Sequence, residues 1–171
     1  MRILIKLLSP VIVLLLTAIT TNAQVSTTAT STATIVTPIA ISKTADMNFG
    51  NIAVNTALGT VVLTPAGTRT ATGGATLPAT NGTVTAAAFA VTGLGSYTYA
   101  ITIPSTDYTI TRVSGSETMV VNTFTSTPSG TGALSSGSQT LSVGATLNVS
   151  ASQVAGTYTN GTGFTVTVNY N

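Results

Sequence analysis

Gly163-Phe164-Thr165-Val166-Thr167-Val168-Asn169-Tyr170-Asn171 is the stretch that decides the fold class. Phe164, Val166, Val168 and Tyr170 alternate with Thr165, Thr167 and Asn169, so one face is apolar and the other polar. Successive side chains on a strand point to opposite sides, which makes this the pattern of a half-buried β-strand. The alternation runs to Tyr170, so this end of the chain is expected to be a strand and not a disordered tail.

Working back from it, strand signals recur at short intervals, separated by Gly, Pro, Ser and Asn, and no helical period appears. Gln139–Ser150 carries Leu141, Val143, Leu147 and Val149, with a phase break expected at Gly144. Ser126–Gly137 reads as a loop. Glu117–Thr125, Tyr108–Arg112 and Tyr97–Ile103 read as strands, with Tyr97 and Tyr99 on one core-facing side. Val84–Thr92 is rich in alanine, yet Val84, Thr85, Phe89 and Val91 between glycines favour a close-packed strand over a helix. Gly73-Gly74 reads as a turn or a bulge within Thr68–Leu77, and Gly59–Leu63 as a strand. Met47–Ile52 reads as a short strand and turn. In Ala33–Ser42, Ala33, Ile35, Ile39 and Ile41 share a face with Pro38 opposite, which confines that strand to a sheet edge or a sheet switch. Many short strands at this spacing predict an all-β antiparallel sandwich or barrel.

Residues 1–23 read as a secretory signal peptide: Arg2 and Lys6, then an apolar run, then Ala23 before Gln24. The apolar run is shorter than the roughly 20 residues that span a bilayer. No membrane span is expected after its removal, and the product is expected to be secreted, extracellular or at the cell surface. The rest of the chain keeps Lys43, Arg69 and Arg112 against Asp46, Asp107 and Glu117, a net charge of zero. Nucleic-acid binding needs clustered cations to neutralise phosphates, so it is not expected. Threonine makes up about a fifth of the sequence, and together with Val and Ile it favours a pleated sheet over the charged, apolar-poor composition of disordered chains. Low charge also removes the repulsion that keeps copies apart.

The sequence contains neither histidine nor cysteine. That removes the commonest general base, the thiolate nucleophile and most transition-metal ligands. The three carboxylates are far apart in sequence and sit in no recognisable motif. No catalytic residue, metal ligand or cofactor is therefore expected, and the chain reads as a non-enzyme.

Three features together resemble a secreted bacterial β-sandwich family related to spore coat protein U and to pilins of the Mat (common pilus) type, which are chaperone–usher-like. These are Met47-Asn48-Phe49-Gly50-Asn51-Ile52, then Ala155-Gly156-Thr157-Tyr158-Thr159, and the terminal strand with Tyr170. Two departures stand out: spore coat U domains usually carry cysteine pairs, and Asn160-Gly161-Thr162-Gly163 lengthens the connection to the last strand. The resemblance implies an immunoglobulin-like, pilin-like sandwich completed by a donated strand. It also implies homopolymer partners, with a periplasmic chaperone and an outer-membrane usher. The corresponding organisation is signal peptide 1–23, N-terminal extension 24–37 and sandwich 38–171. The candidate donor presents Val25, Thr27, Ala29, Ser31, Ala33 and Ile35 on one face, and the groove would be lined partly by Phe164, Val166, Val168 and Tyr170. The alternative is a flexible threonine-rich leader before a self-complete adhesin, carbohydrate-binding or coat module.

Overall fold

The computed structural model describes residues 23–171; the expected signal peptide, apart from Ala23, lies outside the described residues. Residues 23–39 carry no strand or helix. Eleven strands follow: β1 Ala40–Ala45, β2 Ala53–Leu63, β3 Arg69–Thr76, β4 Ala87–Thr92, β5 Thr98–Thr102, β6 Tyr108–Arg112, β7 Thr118–Thr127, β8 Thr131–Ala133, β9 Ser138–Val149, β10 Tyr158–Thr159 and β11 Thr167–Tyr170. The all-β expectation holds, and among the described residues there is no helix.

Two antiparallel sheets form a sandwich-like domain. The larger has eight strands with β9 at its centre, and the smaller has the order β11-β5-β8. Strand β9 organises the curl of the large sheet. Its first half pairs β4 from Ala87↔Val143 to Thr92↔Ser138, and its second half pairs β2 from Gly59↔Val149 to Leu63↔Ala145. Its other edge pairs β7 along both halves. Gly144 marks the handover between β4 and β2, but the expected phase break does not occur. Leu141, Val143, Ala145, Leu147 and Val149 are all buried on one face. Glycine serves a different need there: a Cβ at position 144 would lie 2.2 Å from the Leu63 carbonyl oxygen.

Bulges reset the alternation elsewhere. In β7 the register shifts between Asn122 and Thr125, with Thr123 at φ 49°. That extra residue lets Val121 and Phe124, three positions apart, both face the core. In β2 the shift falls between Val54 and Gly59, opposite Gly73 at φ 65°. The extra residues, Asn55–Leu58, belong to β2 and stand opposite Gly74 alone, so Gly73-Gly74 is neither a turn nor itself the bulge but the continuous strand facing one, and Leu58 is left 74% exposed.

Three expectations are corrected. The strand expected over Ala33–Ser42 begins only at Ala40, because the β4 partner of β1 runs out at Thr92. Met47–Ile52 is an extended connection with a single bridge, Asn48↔Thr85, and turns at Gly50 where the Asn48 side chain accepts the Gly50 N–H. Ser126–Gly137 is not all loop: β7 continues to Thr127, and β8 adds a third strand to the small sheet. The strand assigned to the alanine-rich Val84–Thr92 is found as β4, with Ala87, Phe89 and Val91 buried.

Candidate functional site: an apolar groove beside a free sheet edge

The small sheet has three strands and the large one eight, so part of the large sheet's inner face has no strand above it. Tyr99, Leu134 and Val168 share one buried core with β4 and with both halves of β9, Leu147 and Val149 included. The part formed by β6, β7 and the second half of β9 floors a groove of about 820 Å³. Its floor consists of Ile110, Met119, Val121, Leu147 and Val149. One wall is the Met47–Val54 connection, which contributes Met47, Phe49 and Ile52. The other is the Gln153–Asn160 segment followed by Gly163 and Phe164. The lining includes Asp46 but no lysine or arginine, and Asp46 is ion-paired with Lys43 at 2.6 Å.

Each wall is pinned by polar contacts. The Arg69 guanidinium donates to the carbonyls of Phe49 and of Asn51 (2.8 Å), and to Asn81 O and Oδ1 at 3.3 Å each. Five donors in a rigid fork suit this clustering of acceptors. Arg69 was counted from sequence only as a scattered charge, and its carbonyl-binding role had no local signature. On the opposite wall, Tyr158 donates to Val154 O at 2.7 Å and accepts from Gln153 Nε2 at 2.8 Å. This gives the Ala155–Thr159 motif a structural purpose. Ser152 N–H donates to Asn55 O at 2.8 Å, joining the two walls beside Val54 and Val154.

The terminal segment runs from this wall into the small sheet. Phe164, Val166 and Tyr170 are half-buried and Val168 is buried, so all four expected positions face inward. Phe164 stands at the groove end, with ring centroids 5.0 Å from Phe124, 5.9 Å from Tyr108 and 6.5 Å from Phe89. Strand pairing itself starts only at Thr167↔Thr102. Pro104, which would face Thr165, has no N–H to give the ladder. Phe164–Val166 is therefore extended chain outside any ladder, shorter as a strand than the alternation predicted.

Beyond that point β11 pairs with β5 alone. Asn171 N–H donates to Thr98 O, which fixes the alternation of the antiparallel ladder. Thr167 and Asn169 turn their peptide groups toward β5, while Val168 and Tyr170 turn theirs to the opposite edge. Among the described residues no strand occupies that edge. An added strand there would extend the small sheet.

Among the described residues, the candidate donor residues are not brought to any ladder. Thr27, Ala29, Ser31 and Ala33 are exposed, Val25 is 93% and Ile35 98% exposed. Of the tyrosines expected in the core, Tyr99 is fully buried, with its hydroxyl donating to Gln139 Oε1 at 2.7 Å. Tyr97 is 47% exposed. It precedes the first residue of β5 at the end of the small sheet, and its ring lies 5.5 Å from that of Tyr170.

No curated protein and no solved structure matches the chain significantly. A family model described as a domain of unknown function, DUF4402, matches residues 39–170. The match begins after the exposed leader and takes in both sheets, the groove walls and the terminal strand, so the chain belongs to the DUF4402 family.

Proposed function

We propose that this chain is a non-enzymatic, exported structural subunit of an extracellular fibre, in which the leader of one copy completes the sandwich of the next. The observation that carries the reading is an apolar groove that opens over half-buried Ile110 and Met119 and ends at Phe164, in a domain whose terminal strand has an unpaired outer edge. A β-strand laid along the outer edge of β11 would continue the small sheet and give its backbone hydrogen bonds to Val168 and Tyr170. Continued back past Phe164, it would bring its inward side chains into the groove over Ile110 and Met119. Main-chain pairing supplies affinity and alternate side chains supply register in this mode of recognition.

The leader of a second copy suits that place. It is uncharged, as is the groove apart from the paired Asp46, and its alternation offers Val25 and Ile35 as large anchors with Thr27, Ala29, Ser31 and Ala33 between them. Exposed apolar anchors on a segment outside every ladder are explained if they are buried in a neighbour. The resemblance to Mat-type pilins and spore coat U domains points the same way. It extends the proposal to a periplasmic chaperone and an outer-membrane usher as transient partners.

Deleting residues 24–35 tests the reading while sparing Thr37. The truncated chain is expected to remain a folded monomer and to form no polymers, while a peptide spanning residues 24–37 binds it. Polymers unchanged by the deletion would refute strand exchange. A full-length chain that stays monomeric and binds glycans would favour a self-complete adhesin.

A further inference from the structure

Tyr170 has a second set of contacts, to backbone groups that lie outside every strand. Its hydroxyl accepts the Leu94 N–H at 2.7 Å and donates to the Thr37 carbonyl at 3.0 Å. Its ring packs against Gly93, where a Cβ would fall 2.3 Å from the hydroxyl oxygen, so position 93 admits no side chain. Val36–Ile39 precedes β1 and lies outside every ladder. Pro38 fixes its own φ and restricts Thr37 to extended backbone. A stiff dipeptide is thus fastened by its carbonyl to the strand that ends the domain.

We propose that Tyr170 is the positioning residue of the joint between subunits: by holding Thr37 it sets the point and direction in which each leader leaves its own domain. This rests on the strand-exchange reading and adds to it. Strand β11 would receive the incoming leader along its outer edge while its Tyr170 side chain holds the root of the outgoing one. Successive joints then meet on one residue, and the rigidity of that residue is carried into the fibre.

Because the sequence has no cysteine, Thr34→Cys supplies a single attachment point for a nitroxide spin label three residues before Thr37. In the monomer, adding Tyr170→Phe keeps the ring and removes both hydrogen bonds. The ratio of seated to released leader root is expected to fall by about tenfold, seen as a sharper label spectrum. Thr37→Ala, which leaves the carbonyl in place, is expected to leave the spectrum unchanged. An unchanged spectrum in Tyr170→Phe would overturn the clamp.

In fibres viewed by electron microscopy, Tyr170→Phe, which leaves the backbone groups of β11 in place, is expected to shorten the persistence length severalfold. Fibres of unchanged stiffness would overturn the joint while leaving strand exchange intact. Absence of fibres from the parent chain would overturn strand exchange, and the joint with it.

Discussion

Replacing Ile110 with lysine separates folding from assembly. Ile110 lies on β6 at the groove floor and is half-buried in the single chain. In the monomer a lysine there can lay its stem along the floor and keep its ammonium in water through the open groove. The expected cost to folding is therefore modest, about 1 kcal/mol. Under an inserted strand the ammonium loses that escape. The one carboxylate lining the groove, Asp46, is already bonded to Lys43 at 2.6 Å. An unpaired buried charge costs about 3 kcal/mol or more, which weakens strand insertion by over a hundredfold. The Ile110→Lys chain can still donate its own leader, so it is expected to join a fibre only where no further leader must be accepted. Doped into the parent chain, it should shorten fibres in proportion to its fraction, while its melting temperature as a monomer moves by a few degrees. Ile110→Leu, which keeps the surface apolar, should polymerise normally. Normal incorporation of the lysine variant throughout fibres would refute the assignment of this groove as the acceptor.

Other predictions concern the frame that holds the groove. Tyr99→Phe removes the hydroxyl bond to Gln139 Oε1, which still accepts the Ala133 N–H at 3.0 Å, so calorimetry should show a loss of about 1 kcal/mol. Burial pushes the Tyr99 hydroxyl above its ordinary value of 10.0, so the unfolded chain ionises first. Stability should be level below that pH and fall above it, with a smaller alkaline loss in Tyr99→Phe. The hydrogen bond from Arg112, at 2.6 Å, holds the Glu117 carboxyl below its ordinary 4.5. Its contribution should be present above that value and lost as the pH falls through the lower folded value, and Glu117→Gln should remove this acid slope from the melting curves. Gly144→Ala would press a methyl group onto the Leu63 carbonyl, and thermal melting should register a loss of about 1–3 kcal/mol.

Much of the architecture is legible in the sequence because inward and outward positions alternate in the elements that matter. Phe164, Val166, Val168 and Tyr170 face inward as their spacing predicts, and Leu141, Val143, Leu147 and Val149 line one face of β9. The failures come from pairing between distant segments. Threonine-rich alternation over Ala33–Ile39 looks the same whether or not a partner strand is present, and β4 provides one only from Ala40. The short β8 hides among Ser, Gly and Pro because its place depends on β5. Bulges such as that at Thr123 depend on the opposing strand, and a sequence read alone shows only a spacing of three. Within the candidate site, the sequence singles out Met47–Ile52 and Phe164, but it shows neither that they face one groove nor what floors it, and Val166, Val168 and Tyr170 do not line it. The floor joins the β6–β7 hairpin to β9, and the wall comes from a segment far earlier in the chain. Arg69 is the clearest case, since its acceptors are backbone carbonyls that carry no residue signature.

Strand exchange predicts a bond between subunits made of backbone pairing and buried apolar side chains, with no covalent link. Electrophoresis of the native surface fraction in SDS, with and without boiling, tests this most directly when combined with negative-stain microscopy. A ladder of multimers that collapses to one band only on boiling, together with thin filaments, is the predicted result. A single monomer band without boiling, and no filaments, would contradict the account.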